Sequence, residues 1–400
     1  LLMRKIIFYV LCLVLVFSCK INGESNDELD SVTTLIKKAS FQLQDRPSFT
    51  ANILDTSIFP RTVDQSGNLK LVDKKDWTSG FYPGVLWFMY NLTEDTIWKE
   101  KAMRYTNVLE SEQFNASNHD IGFKMMSSYG LGYKFTKNDN YKTILLQSAN
   151  TLISRYNENV GCIRSWDHHQ DKWQFPVIID NMMNLELLYW AWKQTGDSVY
   201  YNIANAHAKT TIKNHFRADY STYHVVSYDT ITGTAVTKTT HQGFSKESSW
   251  ARGEAWALYG YTMAYRETQD LEFLKQAENS ANYIINIATL PNDFVPVWDF
   301  KLKNNPKAPK DASAAAIMAS AFYELSTLTK RDNKDYLKIA DGIMNALSSS
   351  NYLNVKGENK GFLLKHSTGA KPKDSEVDVP LIYADYYFLE ALTRKIKLNN

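Results

Sequence analysis

Leu187-Leu188-Tyr189-Trp190-Ala191-Trp192-Lys193-Gln194-Thr195-Gly196-Asp197-Ser198-Val199-Tyr200 is the stretch on which the fold turns. An apolar, aromatic run stops at a Thr-Gly-Asp turn, and an amphipathic run starts behind it. The same turn recurs as Thr93-Glu94-Asp95, Thr136-Lys137-Asn138-Asp139, Thr268-Gln269-Asp270 and Thr329-Lys330-Arg331-Asp332. Each copy is followed within a few residues by an aromatic: Trp98, Tyr141, Phe273 and Tyr336, matching Tyr200. A repeat of this kind is one supersecondary unit copied around or along a core. Thr and Asp oxygens accept from the orphan N–H groups of a first helical turn. Each copy therefore reads as helix, capped turn, helix.

Working outward, apolar residues recur at a spacing near 3.6 over 28–44, 96–112, 139–156, 198–214, 271–288 and 334–349. A second set, over 79–91, 121–135, 181–194, 251–266, 312–328 and 382–395, is more aromatic and apolar on most sides, as buried helices are. Six outer and six inner helices in alternation predict an all-α fold, an (α/α)6 barrel. An open helical solenoid is the competing architecture. Inner-to-outer turns are short, whereas outer-to-inner connections are long: 45–78, 113–120, 157–180, 215–250, 289–311 and 350–381. In an alternating ring all the long ones emerge where the inner helices begin, and binding residues concentrate on such loops. Their Tyr, Thr, Val and Gly content, highest in Tyr220–Thr240, predicts short strands over that mouth.

The 400 residues carry a net charge of +2, spread along the chain, which excludes a nucleic-acid surface as the main business of the protein. At the N-terminus, Met3-Arg4-Lys5 precedes an apolar run from Ile6 to Phe17, too short for a usual membrane span. Val16-Phe17-Ser18-Cys19 resembles a bacterial lipobox. The expected organisation is a signal peptide over 1–18, lipidated Cys19, a linker over 19–27 and one catalytic domain over 28–400. The product would be an exported lipoprotein, periplasmic or held at the outer membrane only by its lipid. Cys12 leaves with the signal and Cys19 carries lipid, so Cys162 stands alone and no internal disulfide is expected. Monomer and homodimer are equally compatible with these features.

The inner-helix starts supply the candidate site. They read Asp76-Trp77-Thr78, Asn118-His119-Asp120, Ile179-Asp180-Asn181 followed by Asn184, Trp250-Ala251-Arg252 followed by Trp256, and Asp311-Ala312-Ser313; Asp374-Ser375-Glu376-Val377-Asp378 precedes the last. An Asp at a helix start is most often an N-cap. Asp120 and Asp180 stand out because His119 and Asn184 lie beside them and both head apolar helices. Two carboxylates across one mouth are driven apart in pKa, which leaves one able to hold a proton near neutrality. His224 and His241-Gln242 lie in the long fourth loop. Arg252 suits an acidic group through its planar fork, or else pairs with Glu254 or Asp311. Asp167-His168-His169-Gln170-Asp171 lacks ligand spacing for a metal, and no phosphate loop or serine elbow occurs. Neither metal nor cofactor is expected.

Five motifs in order carry a resemblance across residues 28–395: Trp77-Thr78-Ser79-Gly80-Phe81-Tyr82-Pro83-Gly84, His119-Asp120-Ile121-Gly122-Phe123, Ile179-Asp180-Asn181-Met182-Met183-Asn184-Leu185, His241-Gln242-Gly243-Phe244 and Trp250-Ala251-Arg252-Gly253-Glu254-Ala255-Trp256. The chain resembles the unsaturated glucuronyl hydrolases of glycoside hydrolase family 88, which are (α/α)6 barrels. The resemblance implies removal of a 4,5-unsaturated uronic acid from lyase-generated oligosaccharides by hydration of a vinyl ether. It implies Asp180 as acid/base and Asp120 as its partner. It also implies substrate contacts at His119, His224, Gln242, Arg252 and Trp256, with Trp77 and Trp250 beside them; Asn184 and His241, in the same motifs, complete the candidate substrate-binding set. Some relatives carry a Ser/Lys-rich sulfate-recognition stretch before the last inner helix. Residues 374–378 are acidic here, so that preference does not carry over. Two other readings stay open: an unsaturated rhamnogalacturonyl hydrolase, against which His119-Asp120 with Arg252 weighs, and a non-catalytic glycan-binding surface lipoprotein.

Overall fold

The computed structural model describes residues 32–43, 57–330 and 332–399. The signal peptide, Cys19 and the linker expected at 19–27 lie outside them. Among the described residues, six inner helices pack side by side into a closed ring, and the sixth returns to the first. Closure excludes the open solenoid. The inner helices are Phe81–Thr93, 121–136, Leu185–Thr195, Ala251–Thr268, Ala312–Leu328 and Ile382–Asn399. The outer helices are 32–43, Thr96–Val108, Asp139–Ile153, Ser198–His215, 271–288 and Lys334–Leu347. The fourth inner helix is buried without a break from Ala251 to Tyr265. The last of the outer helices buries only Ala340, Ile343, Met344 and Leu347, one stripe at helical spacing.

The repeated turn works differently from the capping expectation. Its Thr closes the inner helix rather than opening the outer one. Thr195 Oγ1 donates to the Ala191 carbonyl at 2.8 Å and accepts from the Asp197 N–H at 3.1 Å; Asp197 then accepts from the Val199 N–H at 2.9 Å. Gly196 between them sits at φ +75°, the left-handed position that ends a helix most easily with glycine. The Thr93 and Thr268 turns repeat all three bonds. In the Thr136 turn the capping residue is Asn138, not Asp139. The fifth copy departs: Thr329 donates to Glu278, and Asp332 accepts from the Lys334 N–H.

The second inner helix is interrupted by a π-turn at Met126–Gly130. Ser127 and Ser128 donate to the Phe123 and Lys124 carbonyls, which competes with the regular ladder there. The third inner helix is entered through a 3-10 segment, Ile179–Asn184. All the short antiparallel strands belong to the long outer-to-inner connections. Ser57–Val63 pairs with Leu69–Asp73, Pro176–Ile178 with Val225–Tyr228 and Ala235–Thr239, and Ser367–Ala370 with Ser375–Val379. No described helix is long and apolar enough to cross a membrane.

Candidate active site

At the mouth where the inner helices begin lies a cavity of about 290 Å3. Asp120 and Asp180 both line it. Neither is spent on capping: Asp120 heads the second inner helix and Asp180 opens the 3-10 segment, yet neither side chain accepts a capping bond. Asp95, Asp197, Asp270 and Asp311 all do. Asp180 Oδ2 is buried without a partner, and a carboxylate oxygen so placed costs free energy unless it holds a proton or meets a ligand. Burial pushes the Asp180 carboxyl up to about 7, opposed by Arg252 and reinforced by the charge of Asp120. Burial also raises Asp120, opposed by His119 and Lys124.

Two neutral histidines flank the pair. His119 Nε2 lies 3.3 Å from Asp120 Oδ1, and burial lowers its pKa. His224 Nδ1 accepts from the backbone N–H groups of His241 at 3.2 Å and Gln242 at 3.1 Å. Its proton therefore sits on Nε2, 3.6 Å from Asp180 Oδ2. Burial holds its pKa well below the ordinary value, so it faces Asp180 uncharged.

Of the other candidates, Trp77, His241, Gln242, Trp250 and Arg252 line the cavity with His119. Arg252 is anchored from behind: it donates to Asp311 at 2.8 Å and to the carbonyls of Thr368 and Gly369 at 2.6 Å each, and stacks on Trp250 at 4.5 Å. Of its two open pairings, Asp311 is the one realised. Glu254 instead accepts from the N–H and hydroxyl of Thr222. Three candidates do not line the cavity. His224 acts from behind it, as described. Trp256 is buried against Phe123 and Tyr387; its indole N–H lies close enough to Asp180 to favour the anion, without hydrogen-bond geometry. Asn184, expected at the substrate, instead accepts from the Phe123 N–H at 2.7 Å, locking the third inner helix to the second. The contact is so close that a Cβ on Gly122 would fall 2.5 Å from the Asn184 Cα.

Several lining residues were not anticipated: Arg61, Trp166, His168, Lys373, Glu376 and Tyr383. Arg61 donates two bonds to Glu376 and one to Asp76, tying the first hairpin to the last. Glu376 lies in the acidic run read earlier as a departure, and Lys373 just before that run supplies a cation at the rim. Trp166 stacks on His168 at 5.1 Å, so this stretch serves the cavity wall. Among the described residues no group of three His, Cys, Asp or Glu side chains could hold a metal ion.

Six inner helices closed into a ring inside six outer ones place the chain in the (α/α)6 class. The chain matches the model of Glycosyl Hydrolase Family 88 over residues 56–394 and belongs to that family. It is 48% identical, over 99% of both chains, to an unsaturated glucuronyl hydrolase of Formosa agariphila. A solved unsaturated glucuronyl hydrolase specific for heparin superposes with a TM-score of 0.88 at 46% identity, covering 92% of this chain and 98% of that one. A variant of the Streptococcus agalactiae unsaturated glucuronyl hydrolase, solved in complex with dGlcA-GalNAc6S, gives 0.75 at 28% identity, with 91% of each chain covered.

Proposed function

We propose that this hydrolase removes the non-reducing-end 4,5-unsaturated uronic acid from lyase-generated oligosaccharides, with Asp180 as the acid/base and Asp120 as its partner. The feature that carries the assignment is the Asp180 carboxyl: mostly buried, with Oδ2 unpartnered, lining the same cavity as Asp120 and pushed up to about 7. Such a group holds a proton near neutrality and can still give it up.

In this mechanism Asp180 delivers its proton to C4 of the C4=C5 bond, and positive charge develops on C5 and the ring oxygen. Water adds at C5 and returns a proton to the Asp180 carboxylate. The hemiketal opens at the C5–O5 bond, leaving a ketone at C5. The freed hemiacetal at C1 collapses to an aldehyde and releases the remaining sugar as an alcohol. One water is consumed and Asp180 ends as it began. The pair does not attack C1, so carboxylate separation does not forecast retention or inversion. Asp120, held by His119, orients the ring. Arg252, Gln242 and His241 meet the acidic and polar groups of the substrate, and Trp77 and Trp250 meet its faces.

Incubation with unsaturated disaccharides from chondroitin, heparin, hyaluronan, ulvan and gellan lyases tests the reading. Loss of the conjugated-acid absorbance marks turnover and ranks the parent polysaccharides. Intact absorbance with every member would leave a glycan binder. The lipobox supports attachment through Cys19: full-length protein should partition with membranes and a Cys19→Ser variant should not.

A further inference from the structure

A larger cavity, of about 610 Å3, opens at the opposite end of the ring. All six inner helices contribute to it, from Phe88 on the first to Leu398 on the sixth. No residue of the catalytic mouth takes part. Its size falls within the range of small-molecule sites, about 300–1,000 Å3.

Its floor is a closed ion network. Arg266 pairs with Glu186 and with Glu324 at 2.6 Å, and Arg394 pairs with Glu324 at 3.1 Å. Tyr259 donates to Glu390 at 3.0 Å and accepts from Arg394 at 3.1 Å. Two guanidiniums face three carboxylates, so the floor keeps one negative charge. Its rim is different. Lys134, Lys137 and Lys397 line the cavity, are exposed to solvent, and have no carboxylate within ion-pair distance among the described residues. Lys134 is reachable by solvent yet crowded by protein; burial and Lys397 lower its pKa, opposed by the charges of Glu390 and Glu186 on the floor. Three rim cations outnumber the single negative charge left on the floor, so the cavity as a whole attracts an anion. On the same wall, Trp190 meets Tyr133 edge-on at 5.7 Å, and the Tyr133 hydroxyl reaches Gln194 at 3.5 Å. Aromatic faces beside amide and ammonium donors suit a sugar that carries acid groups.

We infer that this cavity is a second, non-catalytic binding site for an acidic oligosaccharide, with Lys134, Lys137 and Lys397 holding its carboxylate or sulfate groups and Trp190 with Tyr133 its ring face. It rests on neither the assignment of Asp180 nor turnover. The competing explanation is local. Helix C-termini converge here and favour cations by their dipoles, so the lysines could serve the helix ends alone.

Calorimetric titration separates the two. The probe is a saturated chondroitin tetrasaccharide, which lacks the C4=C5 bond and is not turned over. Wild type should bind it, and a neutral tetrasaccharide should not compete. Lys134→Met with Lys397→Met should weaken binding at least about tenfold and flatten its salt dependence, because two charge-assisted contacts are lost. Turnover of an unsaturated disaccharide should not change in that variant. Equal binding by wild type and variant would overturn the proposal, since the probe would then sit at the catalytic mouth. A lower melting temperature with binding unchanged would assign the lysines to the helix ends. Inorganic sulfate binding as tightly as the tetrasaccharide would overturn the sugar class.

Discussion

Replacing Asp180 by Asn removes a proton donor and a buried charge together, and the two effects have opposite signs. The folded-state pKa is raised from 3.8 to about 7, about 3 units at about 1.4 kcal/mol each. The native state therefore keeps a proton that the unfolded chain has lost. Stability falls as pH rises from about 4 to about 7, and the full penalty, on the order of 4 kcal/mol, applies above that window. Asn carries no charge and escapes the penalty. Denaturant unfolding should show the advantage of Asp180→Asn over wild type growing by roughly 2–3 kcal/mol between about pH 5 and about pH 8. Turnover of an unsaturated disaccharide should fall at least ~100-fold at either pH. A stability difference that stays constant with pH, joined to near wild-type turnover, would refute the reasoning: Asp180 would be an ordinary ionised carboxylate with no part in the reaction.

Asp120→Asn should also reduce turnover at least ~100-fold, and should lower the pKa read from the alkaline limb by removing a like charge. In wild type that limb should fall with a midpoint near the value of about 7 held by Asp180, because the acid form is the one that donates; a rate rising through this range would contradict the assignment. His224→Phe leaves the His241 and Gln242 amides without their acceptor, costing ~1–3 kcal/mol in unfolding experiments, and should raise KM as Gln242 moves. Gly122→Ala forces the second and third inner helices apart at Asn184 and should cost ~1–3 kcal/mol. Asn184→Ala should lose stability with little change in KM, where a substrate ligand would lose affinity.

The ring was legible because its signal is local. Helical periodicity, the Thr-x-Asp turn and the contrast in loop length all lie within a few residues of one another. Asp120 and Asp180 could be picked out for the same reason, as carboxylates heading apolar helices. What could not be read depends on partners far along the chain. Asn184 looked like a site residue until the Phe123 amide, 61 positions away, was found to occupy it. Arg61 gave no signal, since Glu376, 315 positions on, is what brings it to the cavity. The choice between Glu254 and Asp311 for Arg252 was likewise tertiary. The turn threonine closes the inner helix and leaves the capping of the outer one to Asp197 in the third copy, a division of roles that composition alone does not reveal.

The most direct measurement records two signals on one sample of unsaturated disaccharide: loss of the conjugated-acid absorbance and appearance of the free monosaccharide, resolved from the disaccharide by chromatography. Hydration at C4=C5 predicts that both advance together from the first turnover and that both vanish in Asp180→Asn. Release of the sugar while the chromophore persists would mean cleavage at C1, and the vinyl-ether account would be wrong.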